Sequence, residues 1–171
     1  MNAVEVEQSL KLLATAPRRI ASMSHGIDGI EEARLYAKAD KESWSANDIL
    51  AHLRACADVW GKSILKMVEQ DHPTLRYVSP RTYIRKTNYL EQDFRQSLQA
   101  FTQQRADLLK ILKTLDIADW SRGATFTATT RGREQTILSY AQRIVAHEHA
   151  HCEQLAAMLK PAKTNQVSFA F

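Results

Sequence analysis

Apolar residues return every three or four positions along several long stretches of this chain, the spacing that lays one apolar face along an α-helix. The first stretch covers about 4–23, with Leu10, Leu13, Ile20 and Met23 on its apolar side. Pro17 falls inside it. A proline ring removes a backbone donor and clashes with the carbonyl four residues earlier, so this helix is expected to kink there or to end near Ala16. The second stretch opens on WSANDILAHL, the best-marked start in the chain. Ser45 is the expected N-cap, Asp48 can complete a capping box, and Trp44 with Ile49 can close a hydrophobic staple. This helix should continue to about 69, before His72-Pro73 ends it. A third covers about 88–115, with Phe94, Leu98, Phe101, Leu108 and Leu112 in one stripe. The fourth covers about 133–160 and stops at Pro161.

Three long helices and a kinked first one predict an all-α fold, a four-helix bundle. The connections, at about 24–44, 70–87 and 116–132, are longer than a tight up-down bundle requires. Crossover-type connections, or loops folded over one end of the bundle, are therefore expected. Within the last of them, DWSRGATFTATTRG suits a short hairpin or an irregular loop. A single domain over residues 1–160 and a tail over 161–171 follow, and the tail's TNQVSFAF is apolar enough to dock on a surface.

Composition narrows the class further. A chain of 171 residues, 44% hydrophobic and 25% charged, has the length and make-up of one globular domain with a buried core. Its formal charge of +4 is mildly basic, but Arg18, Arg19, Arg81, Arg85 and Lys86 are scattered and form no nucleic-acid-binding module. A solvated surface is the expected role of these charges. Cys56 and Cys152 are too few and too far apart for a disulfide framework. MNAVEVEQ lacks the positive and apolar regions of a signal peptide, and no apolar run reaches membrane-spanning length. A cytoplasmic protein with reduced thiols is expected, with neither nucleic acid nor membrane as partner.

Candidate chemistry gathers in the histidines. Three of the six, His147, His149 and His151, lie within AHEHAH. On a helix, His147 and His151 are about 40° apart, whereas His149 falls roughly 160° to 200° away from them. The pair shares its sector with Tyr140, Ile144, Gln154, Leu155 and Met158, which places it in the middle of the face expected to point into the bundle. His149 joins Gln142, Glu153 and Lys160 on the solvent face. The same projection groups His52 with Ile49, Cys56, Val59, Trp60 and Met67. Three imidazoles from two helices therefore converge on one core, where each is costly without a partner. A single inward histidine is more often a hydrogen-bonded core residue. A divalent cation would satisfy all three, since neutral imidazole is a common ligand and an i, i+4 pair offers two from one rigid helix. Three neutral ligands would leave the ion its full charge and an open position, suited to activating water or capturing a thiolate.

His147-Glu148-x-x-His151 also matches the literal signature of zinc peptidases, but that site needs a third ligand, usually downstream. After His151 no histidine remains, and the only acid is Glu153, which points outward. The peptidase reading fails there. Glu148, about 100° from His147, could instead pair with a neighbouring helix.

WSANDILAHLRACADVW in the second helix, DW at 119–120 and ILSYAQRIVAHEHAHCEQL in the fourth together resemble the DinB/YfiT-like superfamily of four-helix-bundle metalloproteins. The resemblance covers about 10–160 and supports the fold and the metal more strongly than any substrate. It implies that one histidine of the second helix and an HxxxH pair of the last bind a divalent metal. On this sequence these are His52, His147 and His151, the same three that the helical projection selects. Characterised branches of the family include metal-dependent S-transferases that use low-molecular-weight thiols such as bacillithiol or mycothiol, and a mycothiol-using isomerase.

Other residues carry weaker expectations. Cys56, one turn after His52, is expected as apolar filler, with a fourth ligand or redox-sensitive neighbour as the alternative. Cys152 should be packing. Arg105 falls on the core stripe of the third helix, on the same side as Glu91, and is expected to snorkel to the surface, with anion binding at the bundle mouth as the alternative. Tyr140 and Gln154 are candidates for the pocket or for orienting the ligands. His25 and His72 look like loop residues. The reading that follows is an enzyme with one divalent ion, zinc or nickel ahead of iron or manganese. It would use a low-molecular-weight thiol or water to attack a small electrophile. The alternative is a non-catalytic metal-binding or interaction bundle, such as a homodimer.

Overall fold

Pro17 shapes the N-terminal arm. In the computed structural model, which describes residues 2–128 and 134–160, α1 (Ala3–Leu13) and α2 (Thr15–Ser24) are separated at Ala14. The break comes earlier than the expected Ala16. Pro17 thereby falls in the first turn of α2, where its missing N–H has no helical acceptor to serve. A 3-10 turn at Gly29–Glu32 and the short α3 (Ala33–Tyr36) follow.

Helix α4 (Ala46–Glu69) starts as its sequence dictates. Ser45 Oγ accepts from the Asp48 N–H at 3.1 Å, and Asp48 Oδ2 accepts from the Ser45 N–H at 2.9 Å. Trp44 packs against the apolar cluster that holds Ile49. The chain then forms β1 (Thr74–Arg76), α5 (Pro80–Tyr83) and two 3-10 turns.

Helix α6 (Phe94–Leu112) begins six residues later than the expected 88. Asp93 is its cap, accepting from the Gln96 N–H at 2.8 Å. The residues ahead of it leave the helical path to reach α4. The Tyr89 hydroxyl donates to Asp58 at 2.6 Å, and Gln92 Oε1 accepts from Arg54 at 2.5 Å.

The hairpin expected before the last helix is present, and its return strand takes residues expected to be helical. Strand β2 (Gly123–Thr127) pairs antiparallel with β3 (Glu134–Thr136) and parallel with β1, which periodicity did not predict. Gly123 is required there, because a Cβ would lie 2.8 Å from the Gln135 carbonyl oxygen. Thr136 caps α7 (Ile137–Met158). The expected stop at Pro161 and the apolar tail lie outside the described residues.

Helix α4 packs against both α6 and α7, and the α1–α2 arm packs against α7, which completes the four-helix bundle. Its core divides along the helix axes. One cluster contains Leu13, Trp60, Ile64, Met67, Leu108, Leu112, Ile144 and the sheet residues Leu75, Ala124 and Phe126. The other contains Ile20, Ile49, Leu53, Phe94, Phe101, Cys152 and Leu155. Each buried Leu, Ile or Phe contributes about 1.5–3 kcal/mol. Between these clusters α6 carries Arg105 and α7 the histidine-rich stretch 147–151, and His52 faces them from α4, where Ala51 and Ala55 form a small third cluster with Ile84. The bundle thus has a polar waist between two apolar halves. Among the described residues, no helix is long and apolar enough to cross a membrane.

Candidate metal centre

The waist brings together the three histidines selected from the sequence. Their ligand nitrogens all lie within 4.8 Å of one another. His52 is buried and His147 and His151 are half-buried. The Nε2 atoms of His52 and His147 face each other at 3.3 Å. Two nitrogens about 2.0–2.1 Å from one tetrahedral ion stand about 3.3 Å apart, so this edge already has the spacing of a zinc-type site. The Gln154 Oε1 lies 3.1 Å from His151 Nδ1, the acceptor that orients a ring whose Nε2 is the ligand. His147 Nδ1 is buried with no partner among the described residues.

Electrostatics keep these rings neutral. Burial pushes His52 down to about 4, helped by the charges of His151 and Arg81. Burial likewise pushes His147 down to about 3, with His151, His52 and Arg143 adding to it. His151 is also lowered, chiefly by burial. Neutral imidazoles with lone pairs are the form that a cation needs. The donor set therefore fits a divalent ion.

The helical projection misplaced the centre of the buried face of α7. That centre runs through Glu148, 2% exposed, and Cys152, 1% exposed, while His147 and His151 lie on its flank. The reason is on α6. Arg105 is 2% exposed and donates to Glu148 Oε1, so it does not snorkel to the surface. Burial pushes the Glu148 carboxyl up to about 7 against the downward pull of Arg105. Glu148 is thus engaged away from the histidines, which removes the remaining basis for a peptidase-type general base.

The flank position opens the histidines to a cavity of about 730 Å³. Trp60, Arg143 and Ala146 line it beside His52, His147 and His151, and the connection after α4 adds Tyr77, Ser79, Pro80 and Arg81. This connection runs beside the polar waist, where Ile84 packs on Ala51 and Ala55 of α4. Nothing in its sequence marked Tyr77, Ser79 or Arg81 as site residues, because only the chain path brings them there. Trp44, expected as a staple residue, also packs on the site, with its ring centre 4.9 Å from that of His52 and 6.2 Å from that of His151. Trp60 meets His147 edge-on at 4.8 Å.

The remaining candidates divide. Cys56 is buried, with Sγ 3.4 Å from His52 Nε2, and burial pushes its thiol up. Cys152 is packing. Tyr140 belongs to the core, stacked on Phe126 at 5.0 Å, and does not line the cavity. His149 is exposed beside Arg19, while His25 and His72 are exposed outside the helices.

Residues 17–155 match the sequence profile of the DinB superfamily. Among solved structures the chain is similar to that of YfiT from Bacillus subtilis, described as "a probable metal-dependent hydrolase with an unusual four-helix bundle topology". The two share 14% identity and a TM-score of 0.78, over 92% of this chain and 87% of the other, which is a likeness of fold. Comparison with curated proteins gives no match.

Proposed function

The chain belongs to the DinB superfamily, and on that premise we propose that it is a metal-dependent enzyme whose ion is held by His52, His147 and His151. The observation that carries this reading is the group of three neutral imidazoles opening on a cavity of about 730 Å³, a size suited to small molecules. When bound, a divalent ion supplies Lewis acidity that favours thiolate over thiol, or hydroxide over water, near neutral pH. Gln154 orients His151, and Trp44 and Trp60 wall the rings from solvent on two sides.

Apart from the imidazoles, the described cavity residues offer only the hydroxyls of Tyr77 and Ser79 as proton acceptors, and no carboxylate. Water, with a high intrinsic pKa, benefits most from an added base. A thiol with a pKa near 8.5 needs none. This favours transfer of a low-molecular-weight thiol to an electrophilic carbon. The sulfur–carbon bond forms, the leaving group departs with its electron pair, and the thiol proton passes to solvent. The YfiT likeness pulls the other way, towards hydrolysis. Turnover of an aryl halide that requires both metal and added thiol would support transfer, and turnover of an activated ester or amide without thiol would support hydrolysis.

A second reading, a closed structural site, is favoured by Cys56 Sγ at 3.4 Å from His52 Nε2. Metal content of untagged protein decides between them. We expect near-stoichiometric metal in the wild type and in Cys56→Ala, and its loss in His52→Ala. Loss in Cys56→Ala would make the site structural, and retention in His52→Ala would remove the three-histidine assignment.

A further inference from the structure

We infer that the cavity beside the three histidines takes a small molecule bearing an oxyanion, a carboxylate or a phosphate, gripped by Arg81 and Arg143. This deepens the reading above and rests on it for the identity of the cavity as the substrate's. Arg81 comes from α5, and Arg143 lies one turn before His147 on α7; both line the cavity. Among the described residues, neither has an acidic partner within 4.0 Å. The described lining contains no acidic side chain at all. Two formal positive charges therefore face one cavity with no acidic side chain among its described lining to balance them, and a divalent ion would add two more. Low-dielectric walls focus such a field and draw in anions.

The guanidiniums are held in place without being neutralised. Arg143 is half-buried, with Cζ 5.0 Å from the ring centre of Trp60 and 5.7 Å from those of Tyr77 and Tyr140. Arg81 Cζ lies 5.4 Å from the ring centre of Trp44. Trp44 and Trp60 are the rings that pack on His52 and His147, so each arginine is one aromatic ring away from a proposed ligand. A cation–π contact holds a guanidinium beside the ring without using its N–H groups, and their fork matches the paired oxygens of carboxylate and phosphate. An arginine that only solvates the surface needs no such brace.

The test is calorimetric titration of the metal-loaded protein with inorganic phosphate and, separately, with succinate. Wild type, Arg81→Gln, Arg143→Gln and Arg143→Lys are compared, with metal content measured in each. We expect one probe to bind the wild type, about tenfold or more weaker binding in each Gln variant, and partial recovery in Arg143→Lys, which keeps the charge without the fork. The preferred probe identifies the oxyanion. No binding of either probe, or equal binding in both Gln variants, overturns the inference. Arg81 is exposed on a short helix, so Arg81→Gln carries the test if the Arg143 variants fail to fold. Repeating the titration on metal-stripped protein separates the two readings. Arginine-dependent binding that survives stripping supports the grip whatever becomes of the metal site, and arginine-independent binding defeats it even where the metal is present.

Discussion

His52 and His147 point their Nε2 atoms at each other across 3.3 Å, and only one of the two can carry a proton on that edge. Burial and the neighbouring positive charges make protonation of either ring costly, which is why both fall well below the ordinary 6.5. The consequence for metal binding has a definite sign. Protons compete with a cation for the same lone pairs, and a ring with a lowered pKa stays unprotonated until the pH falls below that value. Zinc affinity should therefore change little from pH 8 down through about 6.5, the unshifted histidine value, and fall steeply only as the pH drops past about 4, where His52 and then His147 take up protons. Metal titrations across that range check it. A steep loss already between about pH 6.5 and about 5 would mean that the rings behave as exposed histidines.

At the scale of elements, Arg105 and Glu148 join α6 to α7 at the same level as the histidines, with both side chains buried. Such a pair adds little over a well-packed apolar replacement, but breaking it strands a buried charge. Glu148→Leu alone should cost about 3–5 kcal/mol, and most of that should return in the double variant with Arg105→Met. Urea denaturation of the two single variants and the double one measures this coupling. A fully additive double variant would show that the pair acts as two separate residues. The pair also sets the rotation of α7. Glu148 takes the centre of the buried face, so His147 and His151 turn towards the cavity.

In the whole molecule, the proposed metal would join α4 to α7, the two helices that carry the ligands and already pack together. A ligand bound only by the folded state stabilises it by mass action. Chelation should therefore lower the melting temperature of the wild type and leave His52→Ala unchanged, as differential scanning calorimetry would show. An equal fall in both proteins would point to a metal held elsewhere. The two apolar clusters should keep the stripped bundle folded, because most of their buried side chains pack on one another rather than on the histidines.

The sequence by itself determined the four-helix bundle, the capped start of α4, the inward side of His52 and the common face of His147 and His151. Each follows from spacing along one helix or from a cap a few residues long. Its boundaries failed where chemistry from another element intervened. Tyr89 and Gln92 reach to α4 and delay α6, and residues 134–136 become a strand because β2 is there to pair with them. Only the tertiary structure decided which polar groups meet. Periodicity shows that Arg105 faces inward but not that Glu148 awaits it, and it cannot carry Arg81 from a loop to a cavity walled by α4 and α7. Helical geometry is fixed by the residues next in line, whereas a pocket is assembled from side chains far apart in the chain. Their meeting is a property of packing.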